Sequence, residues 1–435
     1  MTSIRVVKVA TNPMQQHLWQ YLTVRILVGL LLVSLLPAVV LFWGYIITDS
    51  MLLTQVNSIL ASSAALILSL IGLDRLTQLP GQKSIVTVLP TLLASVLIVG
   101  LVLFIFRLPY SVYYLIFSAA IGLIFCLISQ LVLRAVTQVT IGYIPIGRYQ
   151  NLLTIDNVNW VKLTSCFRPS DHSRLPFHAV VADLADDNLC SEWEKLLAET
   201  AIHGTPVYNF IQVSESLTGR LPIKHLYENN LGSLLPSQSY LLVKRILDTV
   251  AVLISAPIVI PLALLLSIVI KWEGRHSNSS VLFTQQRIGQ GGKWFTMYKF
   301  RSMRPCAEQY GAQMATTDDM RVTKFGSFIR QTRLDELPQF INVLKGEMSL
   351  IGPRPEQLDF VKRFNDTIPF YRYRHIVKPG ISGWAQVMHG YASDEDETKV
   401  KLEHDFFYIK NFSLTLDLLI VIKTIQTMIT GFGAR

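Results

Sequence analysis

Four apolar runs, near Ile26 to Ile47, Leu52 to Leu73, Val86 to Phe106 and Ser111 to Leu133, constrain the fold of this chain more than any other feature. Each is close to the ~20 residues that carry a helix across a bilayer, where every backbone donor and acceptor must be satisfied within the segment. Hydrophobic residues make up 51% of the 435 and the mean hydropathy is +0.39, which places the chain among membrane proteins. The polar start, Met1 to about Gln20, has no small-residue cleavage site after a short apolar core, so no cleaved signal peptide is expected. Cations precede the first run (Arg5, Lys8, Arg25), separate the second from the third (Arg75, Lys83) and follow the fourth (Arg134). The other two loops hold little beyond Arg107. Because short cytoplasmic loops concentrate Lys and Arg, both ends of this four-helix block, residues 1–135, are expected in the cytoplasm. The four runs contain no charges, which argues against a transporter.

Residues 136–236 have the composition of a soluble domain. Strand-like runs at Val139 to Ile146, Trp160 to Leu163, Ala179 to Leu184 and Pro206 to Val213 surround a helical pattern at Ser191 to His203, which predicts a small α/β unit. No G-x-G-x-x-G follows a strand, so no dinucleotide site is expected, and a structural or regulatory spacer is the reading. His172, His178 and His203 lack metal-ligand spacing. Cys126, Cys166, Cys190 and Cys306 have no C-x-x-C pattern and read as reduced thiols. The net charge of +9 suits anionic lipid or phosphorylated substrates. It is not read as a nucleic-acid footprint, because no basic helix with interleaved aromatics occurs.

A fifth apolar run, Thr249 to Ile270, is long enough to cross, yet Lys244 and Arg245 precede it and Lys271 and Arg275 follow it. Positive charge on both flanks argues against crossing. Pro257 and Pro261 near its middle each remove a backbone hydrogen bond, which predicts a helix that enters one leaflet, breaks and returns. The alternative is a kinked fifth span.

Beyond it, Arg330 to Pro355 reads R-Q-T-R-L-D-E-L-P-Q-F-I-N-V-L-K-G-E-M-S-L-I-G-P-R-P. Pro338 fits only the first turn of a helix, so a helix is expected to start near Leu334 or Asp335. Asp335 then sits at a positive helix end, where the macrodipole and the arginines favour its ionised form and an incoming phosphate. An ionised carboxylate can attack phosphorus while Glu336, pointing about 100 degrees away, reaches a divalent cation. Taken alone, a D-E step reads first as a capped surface helix with ion pairs, and only its context shifts that reading. Upstream, Val281 to Arg287, Gly289-Gln-Gly-Gly292 and Lys293 to Arg301 read as a hairpin around a glycine turn. The alternative, a phosphate loop, lacks a following helix N-terminus. Arg287, Lys299 and Arg301 are candidate ligand contacts, the last two on one face by strand period. In Gly352-Pro-Arg-Pro355 two prolines hold one arginine in an extended segment suited to gripping phosphate. Asp318, Asp319 and Arg321 read as a solvated turn before a helix. Val377 to Val387, with its Trp384, suits a loop at a membrane interface or over a base. Leu402 to Tyr408 and Leu414 to Ile429 fit helices in the headgroup region, or internal bundle helices. Asp405 and Asp417 read as structural.

From about Leu241 the chain resembles the bacterial sugar transferase family, the membrane phosphoglycosyl transferases acting on polyprenyl phosphate. Seven blocks in order carry the resemblance: Lys244-Arg245-x-x-Asp248, Gln286 to Gly289, Phe295 to Met303, Leu334 to Gln339, Asn342 to Pro355, Val377 to Val387 and Leu402 to Ile409. The resemblance implies that Asp335 is the nucleophile and that Glu336 binds Mg2+. It implies transfer of a hexose 1-phosphate from a UDP-sugar to polyprenyl (undecaprenyl) phosphate through an aspartyl phosphosugar, releasing UMP, as a first membrane step of surface polysaccharide synthesis. Arg330, Arg333, Lys345 and Arg354 would offset the charge on the transferring phosphoryl group. The family places a Ser-Pro pair at the break of the re-entrant helix, residues 241–271. Its Pro falls on Pro261, but Ile260 precedes it here, so Pro257 or Ser255 shares the role.

By the same resemblance the fold is a membrane helical bundle, a small Rossmann-like α/β domain and, over 237–435, an α+β monotopic catalytic domain. A homodimer at the bacterial inner membrane is expected, with the N-terminus and the catalytic domain in the cytoplasm. The competing reading is a catalytically silent membrane scaffold, which would have lost its carboxylates or cations; Asp335, Glu336, Arg330 and Arg354 are all present.

Overall fold

The computed structural model describes residues 21–42, 49–77, 87–136, 140–147, 149–153, 158–163, 177, 179–184, 186, 188–223, 235–274, 280–303, 321–390 and 394–430. Of the residues singled out above, Arg5, Lys8, Lys83, Cys166, His172, His178, Arg275, Cys306, Asp318 and Asp319 lie outside that range. The chain divides into two compact units, Met1–Val213 and Ser214–Arg435.

The first unit opens with four apolar helices, α1 (Leu22–Phe42), α2 (Asp49–Thr77), α3 (Val88–Ile105) and α4 (Val112–Val136). Leu66, Leu70 and Leu73 of α2 pack with Val33, Val88, Phe125 and Cys126 into a fully buried core. Gly29 permits that contact, since a Cβ there would lie 2.8 Å from Leu66 and from Phe125. Ser118 Oγ of α4 donates to the carbonyl of Val33, one turn before Pro37, at 2.7 Å. α1 carries a π-helical turn at Leu30–Leu35. Arg25, expected as a loop cation, lies inside α1; it is buried and paired with Asp74 of α2 at 2.8 Å.

After α4, strands β1 (Thr140–Tyr143), β2 (Asn159–Lys162), β3 (Ala179–Ala182) and β4 (Val207–Asn209) form an all-parallel sheet in the order β2-β1-β3-β4. All four residues of β3 are buried, and α5 (Ser191–Ile202) lays Trp193, Leu196 and Leu197 on the sheet. The strand expected over Pro206 to Val213 stops at Asn209, because the Asn209 side chain accepts from Ile211 N–H at 3.1 Å and opens helix α6 (Phe210–Thr218). A helical apolar region followed by a parallel α/β domain is therefore the observed order. Cys126 is a buried free thiol and Cys190 an exposed one.

The second unit is built around α7 (Gln238–Glu273), a single helix that runs through both Pro257 and Pro261, so the break expected at these prolines is not present: each costs one backbone donor and the helix continues past it. With α1 to α4 it makes five helices, among the described residues, that are long and apolar enough to cross a membrane, and they mark this as a membrane protein. Strands β5 (Leu282–Ile288) and β6 (Trp294–Phe300) form the antiparallel hairpin, turning through Gly291 and Gly292, both at positive φ. Helix α8 (Lys324–Gln331) leads into a 3-10 turn, Leu334–Gln339, that runs directly into α9 (Phe340–Lys345). Strand β7 (Ser349–Ile351) pairs in parallel with β8 (Gly380–Ser382), with α10 (Leu358–Thr367) between them. Helices α11 (Trp384–Met388), α12 (Glu395–Lys410) and α13 (Leu414–Thr430) close the unit.

Two expectations change here. Trp384 lies neither at an interface nor over an open site: it is buried, stacks on Phe407 and donates to the Gly219 carbonyl at 2.8 Å. α12 is internal, with Leu402, Phe406, Phe407, Tyr408 and Ile409 buried, whereas α13 keeps Leu414, Leu418, Val421 and Ile425 exposed. An apolar stretch alone does not say whether lipid or protein covers it.

The Lys244-Arg245-x-x-Asp248 block ties the start of α7 to the rest of the unit. Lys244 pairs with Asp417 at 2.5 Å, Arg245 donates to the last carbonyls of α9 at Val343 and Leu344, and Asp248 accepts from Ser349 at 2.6 Å. The far end of α7 is held too, by Leu266 and Ile270 packed against Phe300 and Ile329.

Candidate active site

The site begins with a backbone conformation. Arg333 sits at φ 54°, in the left-handed region, and turns the chain out of α8 so that Asp335 and Glu336 occupy the first turn of the next helical segment. Both carboxylates are 7% exposed, so the D-E step is not a solvated surface cap. Asn342, fully buried, fixes the strand that faces them: its Nδ2 donates to the Thr296 carbonyl at 2.7 Å and its Oδ1 accepts from Tyr298 N–H at 3.2 Å. That clamp holds β6 against the carboxylate turn and brings Lys299 to it.

Lys299 Nζ lies 3.3 Å from Glu336 Oε1 and 4.0 Å from Asp335 Oδ2. Arg354 Nη1 reaches the same Glu336 oxygen at 3.2 Å. Arg333 Nη1 lies 4.0 Å from Glu336 Oε2; both atoms are buried and neither makes a hydrogen bond. The two carboxylates are driven apart electrostatically. Burial pushes Asp335 above the usual aspartate range, Lys299 opposes the shift and the neighbouring Glu336 adds to it. Burial acts on Glu336 as well, but Lys299, Arg354 and Arg333 outweigh it and hold that carboxyl below its usual range. The helix-end argument for an ionised Asp335 is thus offset by desolvation, which the sequence does not reveal.

Arg354 is presented by a segment whose four carbonyls from Pro353 to Glu356 are all taken. Pro353 O accepts from Gly380 N–H at 2.9 Å, Arg354 O from Arg374 at 3.0 Å, Pro355 O from Arg287 at 3.0 Å and Glu356 O from Ile288 N–H at 3.1 Å. The prolines remove donors and fix φ, and four separate groups then hold the extended chain. Arg287 therefore stands behind the arginine, also 4.0 Å from Glu356.

The remaining sequence candidates are placed apart. Arg330 donates to Ser302 Oγ at 2.8 Å, close enough that its charge still lowers the Asp335 carboxyl. Arg301 follows the end of β6, so strand period no longer aims it, and it donates to the Ser280 and Ile270 carbonyls at 2.7 and 3.1 Å. Lys345 is bonded to Tyr298 Oη at 2.9 Å and lies over that ring. Pro257 and Pro261 lie within α7. Asn342, Arg374 and Asp405 received no site role from sequence, although Asn342 and the block around Asp405 lie inside matching stretches.

Among the described residues no cluster of three or more His, Cys, Asp or Glu side chains could hold a metal. A pair of carboxylates nonetheless suits Mg2+, which is commonly held by one or two carboxylates and completed by water and substrate phosphates. Glu336 Oε2, a buried carboxylate oxygen without a hydrogen bond, fits that demand.

Similarity to known proteins follows this geometry. The bacterial sugar transferase family model matches residues 239–431. Over 409 residues, 94% of each chain, the protein is 48% identical to the UDP-N-acetylgalactosamine-undecaprenyl-phosphate N-acetylgalactosaminephosphotransferase of Aeromonas hydrophila. It is 37% identical over 214 residues to the UDP-glucose:undecaprenyl-phosphate glucose-1-phosphate transferase of Escherichia coli (strain K12), covering 48% of this chain and 44% of that one. The enzyme of the same name from Xanthomonas campestris pv. campestris is 37% identical over 222 residues, with 50% and 44% covered. The chain thus matches under half the length of those two glucose transferases, but nearly all of the Aeromonas protein. With the carboxylate pair, its cations and the matching blocks in one unit, the chain belongs to the bacterial sugar transferase family.

Proposed function

We propose that this protein transfers a sugar 1-phosphate from a UDP-sugar to undecaprenyl phosphate, with Asp335 as the nucleophile. The observation that carries the reading is the buried Asp335-Glu336 pair with Lys299 and Arg354 within 4.0 Å. An Asp335 oxygen bonds to the sugar-side phosphorus as the bond to UMP breaks, and UMP leaves. A phosphate oxygen of the lipid then attacks the aspartyl phosphosugar, giving a polyprenyl diphosphate sugar and restoring the carboxylate. Lys299 and Arg354 stabilise charge on the transferring group without reorganising. Glu336 would hold Mg2+, which when bound offsets the charge of the diphosphate. Arg333 and Arg330 contribute positive field at the same turn.

We further infer that α7 is re-entrant, bending at Pro257 and Pro261, where each proline removes a backbone donor, without a break in the helix. Both of its ends pack on the same unit, Lys244 on Asp417 and Ile270 on Phe300, while its middle exposes Ile254, Ile258 and Leu264. A cysteine at Ser279 in a cysteine-free protein should resist labelling from outside intact cells; external labelling would overturn the re-entrant reading. In this scheme residues 1–135 are the membrane bundle, 136–236 a degenerate Rossmann-like domain and 237–435 the catalytic domain. Dimerisation and a cytoplasmic active site at the inner membrane belong to the same proposal.

UDP-N-acetylgalactosamine heads the panel of donors to test, because that sugar is named for the relative matched along 94% of its length, and UDP-glucose and UDP-galactose follow. The test is nucleotide release with undecaprenyl phosphate as acceptor. UMP is expected; UDP would mean transfer of the sugar without its phosphate and would refute the reading.

A further inference from the structure

Behind the carboxylate pair lies a second set of buried charges to which the mechanism gives no task. Arg374 is 3% exposed and forms an ion pair with Asp405, itself 1% exposed, at 2.7 Å. Its other terminal nitrogen donates to Tyr371 Oη at 3.0 Å and lies 3.5 Å from Glu356 Oε1. Lys401 reaches that same Glu356 oxygen at 2.5 Å. Burying this much charge is costly unless geometry is exacted in return. The return is visible at one bond, from Arg374 Nη2 to the backbone carbonyl of Arg354 at 3.0 Å.

We propose that Arg374 is a positioning residue: locked by Asp405 and Glu356, it fixes the Arg354 backbone and thereby where the Arg354 guanidinium meets Glu336. The inference rests on the role given above to Arg354. Arg374 itself bonds to protein groups on α12, on the 3-10 turn at Tyr371–Ile376 and on the Pro-Arg-Pro segment, not to the carboxylate pair. A guanidinium is required because one planar group must present Nη2 to the Asp405 carboxylate and the Arg354 carbonyl while Nη1 faces Tyr371 Oη and Glu356, and the single nitrogen of a lysine cannot hold both sets in a fixed direction.

The test is a double-mutant cycle in the full-length protein. Single-turnover UMP release from UDP-N-acetylgalactosamine is followed for hours, so that slow variants stay measurable, with thermal unfolding recorded in parallel. Arg374→Lys is expected to slow release by about 100-fold, the scale of a ~1 Å misplacement of a catalytic group. In the Arg354→Lys background the same change should cost less than about twofold, because the group it positions is already gone. Multiplying losses, or an Arg374→Lys protein with wild-type turnover, would overturn the proposal. Should Arg374→Lys fail to fold, Asp405→Asn takes its place in the same cycle with the same expected non-additivity, since its amide oxygen can still accept from Arg374. Full activity in Arg354→Lys alone would instead refute the phosphate-binding role of Arg354, an outcome distinguishable from failure of the positioning role.

Discussion

Lys244 Nζ and Asp417 Oδ2 meet at 2.5 Å with both side chains buried, joining the polar start of α7 to α13 across 173 residues of sequence. Tyr240 and Tyr408 donate to the same carboxylate at 2.6 and 2.8 Å, so it is fully engaged. Asp417→Leu should destabilise the protein by about 3–5 kcal/mol, because an uncompensated ammonium is left buried. Adding Lys244→Met should restore most of that loss, as read by thermal unfolding in detergent. Equal instability of the single and double variants would show that the pair is not the anchor.

Removing the nucleophile separates chemistry from folding. Asp335→Asn should lower UMP release at least about a thousandfold and abolish any covalent phosphosugar adduct seen by intact-protein mass spectrometry. Its unfolding temperature at pH 7 should not fall, since ionising this buried carboxyl is costly. Glu336→Gln should retain some adduct but need more Mg2+ to form it.

The pH dependence has a definite sign. Because burial raises the Asp335 carboxyl, the acid limb of single-turnover UMP release should lie above the ordinary aspartate value of about 3.9. Activity is lost as pH falls through that raised value. Lys299→Met should move the limb further up, since Lys299 lowers the Asp335 carboxyl, and Glu336→Gln should move it down, since the Glu336 charge raises it. Shifts of the same sign in both variants would contradict the assignment of the limb to Asp335.

Close backbone approach holds the arginine segment. A Cβ on Gly380 would lie 2.0 Å from Gly352 N, a clash with backbone that no side-chain rotation can relieve. Gly380→Ala should therefore destabilise by about 1–3 kcal/mol or more and reduce turnover beyond what the lost folded fraction explains. Unchanged melting would show that β7 and β8 yield easily.

The apolar runs, the hairpin around Gly291 and Gly292 and the adjacent carboxylates ahead of Pro338 are local properties, set by hydrophobic length, turn chemistry and proline geometry, and these the sequence determined by itself. What it could not determine were relations between distant residues. Lys299 reaches Glu336 only because Asn342 clamps β6 to the carboxylate turn. Arg301, two residues on, leaves the strand and turns to the Ile270 carbonyl instead. Arg287 and Arg374 stand behind Arg354, and Trp384 enters the core. The same limit applies to charge: a helix end and nearby arginines favour an ionised Asp335, but the opposing desolvation exists only once the fold has closed over it. Local preference acts within a few residues, whereas burial and the direction of a long side chain depend on everything packed around it, so the tertiary structure alone decided how the site is held and charged.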